Sequence, residues 1–203
     1  MAKFSDYTKF AASFCPNLPA LVFKRAMLSA SREYFTKTHA WKVVVPLTLV
    51  PGKALYDVPY SNDAELIDSI KDVWLEDKFL SPLSREYLTS DTDKGTPRYF
   101  SNPSKKTINL YPTPKKSGEL NITLTLKPSF LAEEMPDEIF QENFEGLIAG
   151  AIFQVKRMAG DWYDPQSAFI FNQEFVRFIE DKRMELMLGN NNSEIFIEYP
   201  NFK

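Results

Sequence analysis

The side chains of this 203-residue chain best suited to acid–base work are the carboxylates gathered at Glu133-Glu134, Asp137-Glu138 and Glu142. Paired carboxylates serve as acid and base only where a cleft drives their pKa values apart. These five stand where a helix is about to begin, and acidic groups collect at helix N-termini because they oppose the dipole, so no chemistry is needed to account for them. The chain has one histidine, His39, and one cysteine, Cys15. A transition-metal site needs several such ligands and a disulfide needs a second thiol, so no metal, no cofactor and no internal disulfide is expected. Ser29, Ser31 and Ser129 lack the G-x-S-x-G setting of a nucleophile elbow, and a triad would have to recruit His39 from the end of a predicted helix. Only 7 glycines are present, which argues against a glycine-rich phosphate loop. The residues therefore predict no catalytic site and no enzyme.

Binding chemistry is better represented. Lys105-Lys106 and Lys115-Lys116 flank a strand-like run at Thr107 to Tyr111, with Tyr99, Phe100 and Tyr111 close in sequence. Basic groups interleaved with aromatic rings suit a glycan or a single-stranded nucleic acid. Lysines at a hairpin tip or sheet edge also discourage aggregation, and that reading needs no ligand. With 24 Lys and Arg against 27 Asp and Glu, the chain is not a general polyanion binder. Asn121-Ile122-Thr123 and Asn191-Asn192-Ser193 match the glycosylation pattern, but the N-terminus shows no signal-peptide character. No stretch approaches the roughly 18 apolar residues of a membrane span, so synthesis in the host cytoplasm with no membrane partner is expected.

The elements that must carry these residues change character twice. The N-terminal stretch predicts two helices broken near Cys15-Pro16. In the second, Pro19 occupies the first turn, Phe23, Ala26, Met27, Ala30 and Tyr34 recur at helical spacing, and the end falls near His39. From Trp41 to Lys127 the pattern becomes a β-meander. Val43, Val45, Leu47 and Leu49 alternate, Leu55 to Val58 forms a short strand, and Leu120, Ile122, Leu124 and Leu126 alternate with polar neighbours. Ala64 to Leu80 satisfies both periods, and its β-branched content favours a strand centred on Ile70 to Leu75. Pro82 to Leu88 suits a short helix, and Thr89 to Pro97 an exposed loop.

Helix signals return at Pro136-Asp137-Glu138, which open one segment with Phe140, Phe144, Leu147, Ala151 and Val155 on a face, closed by Gly160. Asp164-Pro165 then caps a helix with an Ala168, Phe171, Phe175, Phe178 and Ile179 stripe running to Gly189. The short linker makes the two helices antiparallel, and Gly146 and Gly150 predict close packing within or between subunits. The fold class expected is α+β: an antiparallel helical bundle (residues 1–40 and 129–189), an inserted antiparallel β domain (41–128), and an extended tail (190–203). That tail ends in Glu194-Ile195-Phe196-Ile197-Glu198-Tyr199, adhesive if exposed and suited to strand addition on a neighbouring chain.

The order of several short motifs resembles a known family. These are the proline-bounded helix leading to Trp41, Tyr56-Asp57-Val58-Pro59, Gly95-Thr96-Pro97-Arg98-Tyr99, Leu110-Tyr111-Pro112-Thr113-Pro114, Met135-Pro136-Asp137 and Trp162-Tyr163-Asp164-Pro165. Together they resemble the portal-to-tail adaptors of short-tailed bacteriophages, the head-completion or tail-tubular-A-like proteins, over nearly the whole chain. The resemblance implies a virion protein at the head–tail junction that assembles as a twelve-fold ring. It binds the portal protein on one side and a downstream nozzle or tubular tail protein on the other, with DNA only as passing cargo. It also implies that the tail docks on the portal, with Ile195, Phe196, Ile197, Tyr199 and Phe202 as contacts. A glycan- or nucleic-acid-binding module built on the β insertion is the alternative.

Overall fold

The computed structural model describes residues 1–83 and 93–189. The chain begins with a two-residue strand, β1 (Ala2–Lys3), a 3₁₀ turn at Phe4–Tyr7 and a one-turn helix, α1 (Thr8–Ala11). Asn17 takes a positive φ of 57° and ends this first unit. Helix α2 (Ala20–Thr38) then buries Phe23, Ala26, Met27, Ala30 and Tyr34, the residues marked by helical spacing. Pro19 stands one place earlier than its sequence setting suggests. Its extended ψ of 136° makes it the N-cap rather than a first-turn residue. His39 closes the helix in the left-handed region, with φ of 55°.

Two four-stranded sheets follow. The first has the order β2 (Lys42–Leu49), β11 (Gly118–Pro128), β4 (Glu65–Leu75) and β5 (Lys78–Phe79). The second is β3 (Leu55–Asp57), β9 (Thr107–Tyr111), β8 (Tyr99–Ser104) and β6 (Ser81–Pro82). Strand β11 lies between β2 and β4, antiparallel to both, and its alternating Leu120, Ile122, Leu124 and Leu126 are all buried. Short parallel bridges add to this antiparallel frame: β6 to β8, and β7 (Lys94–Gly95) to β10 (Thr113–Pro114). Pro82 therefore lies in a strand where the sequence suggests a helix start, because its segment docks along β8. Lys94-Gly95 is likewise paired rather than loop. The remainder of the expected short helix, and residues 89–92, lie outside the described residues.

Strand β4 shows why its segment satisfies two periods. Its pairing with β11 skips Lys71 and then Asp68, each an extra residue at a bulge. The bulges place Ile67, Ile70 and Val73 inward at spacings of three, which imitates a helical stripe in a strand.

Strand β12 (Glu134–Met135) pairs with β1. The helix expected from Pro136 to Gly160 is in fact two, α3 (Asp137–Glu142) and α4 (Phe144–Lys156). The break is Asn143, whose buried side-chain amide donates to the Ile139 carbonyl at 2.7 Å and so competes with the helical ladder. Helix α5 (Pro165–Leu188) begins as its residues predict. The Asp164 carboxylate accepts from the Ser167 amide at 3.0 Å, and Pro165 fills the first turn. Helix α4 packs against both α2 and α5. Its glycines make that closeness: a Cβ on Gly150 would lie 2.6 Å from the Phe175 ring and 2.9 Å from Ala30. Gly146 faces Tyr34 and Phe178 in the same way. Helix α2 also packs on β11, so the buried apolar core runs from the helices into the first sheet.

Candidate assembly surfaces

The two lysine pairs sit at opposite ends of β9. Lys105 and Lys106 form the β8–β9 turn, while Lys115 and Lys116 follow β10. Five residues of strand separate them by roughly 17 Å, so they form two sites rather than one patch. Phe100 is buried and presents no ring for stacking, whereas Tyr99 is exposed and Tyr111 accepts a hydrogen bond from the Asn109 side chain. Lys115 and Lys116 border an open cavity of about 570 Å³ floored by Leu49 and Leu75, with Lys78, Glu76 and Pro97 on its rim.

Lys105 belongs to a second cluster, centred on Asp68. This bulge carboxylate is almost fully buried and meets Lys127 at 2.7 Å, Lys105 at 3.3 Å and the His39 Nδ1 at 3.6 Å. It thus joins β4, β11, the β8–β9 turn and the end of α2. Burial works to raise the Asp68 carboxyl, but hydrogen bonds and charge from Lys127 and Lys105 outweigh it and hold the group below the usual carboxylate range. His39 moves the other way from an ion-paired histidine. Burial and nearby Lys71 push its pKa down despite Asp68, so near neutral pH the 3.6 Å approach is a contact between a neutral ring and a carboxylate, not a salt bridge. Neither the Asp68 cluster nor its bulge is signalled by a motif. Strand β4 also carries Glu65, Lys71 and Asp72, so nothing in its composition singles Asp68 out.

The acidic group before α4 is used structurally: Glu133 pairs with Lys24 at 2.5 Å and Asp137 with the N-terminal amine at 2.5 Å. Cys15 is buried, and desolvation raises its thiol pKa. Among the described residues, no group of three His, Cys, Asp or Glu side chains is placed to hold a metal ion. No helix among them is long and apolar enough to cross a membrane.

Two exposed apolar features stand out. Helix α5 carries Phe169, Ile170, Met184 and Met187 on its outer side up to the point where the tail leaves it. At the other feature, the turn after β11, Phe130 and Leu131 are 76% and 81% exposed. Two large apolar residues in a turn between Pro128 and Pro136 are the sequence signal for this feature, which no motif marks. The tail residues Ile195, Phe196, Ile197, Tyr199 and Phe202 lie outside the described residues.

An α+β chain with several groups of exposed large apolar side chains has the surface of a protein that assembles with others. Residues 7–193 match the SU10 adaptor protein family, and the chain belongs to that family. It is thereby a bacteriophage adaptor, a structural component of the virion. No curated protein matches the chain.

Proposed function

We propose that the protein is a non-catalytic, ring-forming adaptor that joins the portal of a short-tailed phage to its tail and continues the DNA channel. The observation that carries this reading is family membership across residues 7–193, which takes in both four-stranded sheets and helices α1 to α5 of the described residues. The ring is twelve-fold in this reading and DNA is passing cargo only. The tail beyond Gly189 is the portal-docking segment, with Ile195, Phe196, Ile197, Tyr199 and Phe202 as anchors, and the downstream partner is a nozzle or tubular protein. The exposed apolar side of α5 supports this placement, since it leads directly to the tail.

Mixing the purified protein with its portal and viewing the product by negative-stain microscopy tests the proposal. Rings stacked on portal are expected, and a folded protein that ignores the portal overturns it. Deleting 193–203 should abolish docking while leaving the circular-dichroism spectrum of the folded chain intact. A truncated protein that still docks removes the tail from the contact.

A further inference from the structure

We propose that the acidic and aromatic segment Glu194 to Glu198 docks, in the free chain, into a basic cavity of the same molecule at the end of α5. Only its consequence rests on the portal-docking role proposed above: a segment held in this cavity is withheld from the portal until the portal competes for it.

The cavity, of about 340 Å³, lies where the C-terminal ends of α2 and α5 meet β2 and β4. Leu186 and Met187 of α5 form its apolar wall, and Lys37, Lys42, Lys71 and Arg183 supply its cations. Asp72 is the one carboxylate among the described residues around it. Lys37 is paired with Glu33 at 2.6 Å and Arg183 with Glu180 at 3.1 Å, whereas Lys42 and Lys71 form no salt bridge among the described residues. With the existing pairs counted, two lysines against one aspartate still leave the site net positive. His39, on the same wall, registers that field. Beyond the effect of burial, Lys71, Arg183 and Lys42 each disfavour its protonated form, and Asp68 alone opposes them.

The strand registers fix the spacing of the two lysines. Lys42 stands opposite Thr125 of β11, and Lys71 is the bulge residue between Ile70 and Asp72, opposite Leu124 and Thr123. Two interstrand spacings and the offset along the strand put their Cα atoms roughly 11 Å apart. In an extended segment Glu194, Phe196 and Glu198 share one side, with the Cα atoms of the two acids roughly 13 Å apart. The pair of acids matches the pair of lysines. Phe196 then falls between them, where Leu186 and the 84% exposed Met187 offer apolar surface.

The place where the described chain ends selects this occupant. Gly189 takes a φ of 67° and a ψ of 176°, a combination open essentially to glycine, and turns the backbone off the α5 axis directly after Leu188. Five residue steps separate Gly189 from Glu194, a reach of at most roughly 18 Å, and Met187 is already on the cavity wall. So short a tether gives the chain's own segment an effective concentration on the order of millimolar, which a second copy in dilute solution does not reach. DNA phosphate would satisfy the lysines but leave Leu186 and Met187 without an apolar partner.

The test uses the full chain without portal, carrying Phe196→benzoylphenylalanine, irradiated at low concentration and mapped by mass spectrometry. Crosslinks within one chain to the peptides holding Leu186-Met187, Lys42 or Lys71 are expected. K42E/K71E and E194K/E198K should each lower their yield at least fivefold, and the two together should restore it, because the charges are then exchanged rather than lost. A yield that neither pair changes overturns the contact, as do crosslinks confined to other surfaces. Crosslinks found only between chains overturn the assignment to the chain's own segment. Binding of a labelled DNA duplex that K42E/K71E removes, and that deleting 193–203 leaves unchanged, gives the cavity to DNA phosphate and overturns the proposal. With portal added, K42E/K71E should bind it several-fold more tightly than wild type. A chain that crosslinks as expected yet ignores the portal sinks the docking role and leaves this contact standing.

Discussion

The helical layer and the junction around Asp68 hold the molecule together by opposite means. Between α2, α4 and α5 the fit is one of volume: Gly150 leaves no room for even a methyl group against Phe175 and Ala30. At the junction the fit is one of charge: a single buried carboxylate collects two lysines and a histidine from a helix end, a neighbouring strand and the other sheet. Close packing is insensitive to pH and to screening by salt, whereas a charged junction depends on protonation and weakens as ions are added. The difference teaches where this fold should respond to its surroundings and where it should not.

The sharpest break of the packed region is Phe175→Ala. Phe175 is fully buried, and its removal should cost about 3–5 kcal/mol in urea unfolding, with the same loss at low and high salt. Next comes Gly150→Ala, where overpacking costs about 1–3 kcal/mol and the better helix preference of alanine recovers about 1 kcal/mol. Adding Phe175→Leu to it should cost less than the two changes summed, because the smaller side chain makes room for the methyl; strict additivity would show that Gly150 is not held by Phe175.

The charged region should break differently. Asp68→Asn should cost about 1–3 kcal/mol at neutral pH, less in high salt, by leaving Lys127 without its carboxylate. Since the folded pKa of Asp68 is depressed, its contribution is fully present above the unfolded value of about 3.9 and is lost as pH falls through the lower folded value. Wild-type and variant stabilities should therefore converge in acid, and curves that stay parallel down to the lowest pH refute the role given to this carboxylate. The smallest effect belongs to His39. Its folded pKa is lowered by burial and by Lys71, with Arg183 and Lys42 adding and Asp68 opposing. The unfolded chain thus binds the proton first, and stability should decline as pH drops from about 6.5 towards the folded value and stay level above it. His39→Asn, which tolerates the left-handed cap, should remove that slope from a plot of Tm against pH.

Much of the helical layer was readable in advance because its signals are local. The stripe at Phe23, Ala26, Met27, Ala30 and Tyr34, and the Asp164-Pro165 cap, each depend on neighbours within a turn or two of the same helix. The break at Asn143 was missed because one amide competing for a carbonyl leaves the apolar period on both sides unchanged. The candidate surfaces were less legible. Lys105, Lys106, Lys115 and Lys116 are adjacent to one strand in sequence, yet a strand is long enough to carry the pairs to opposite ends, and one pair joins Asp68 while the other borders a cavity.

What the sequence alone determined is the helix or strand character of most of the main elements and the broad phage-adaptor class that their motifs resemble, since periodicity, caps and turn residues act over a few positions. What only the tertiary structure decided is which distant side chains meet: Asp68 with Lys105 and Lys127, and Gly150 with Phe175. The physical reason lies in β4. Two bulges, invisible in a period, turn its side chains through the sheet and place a carboxylate where no alternation would put it.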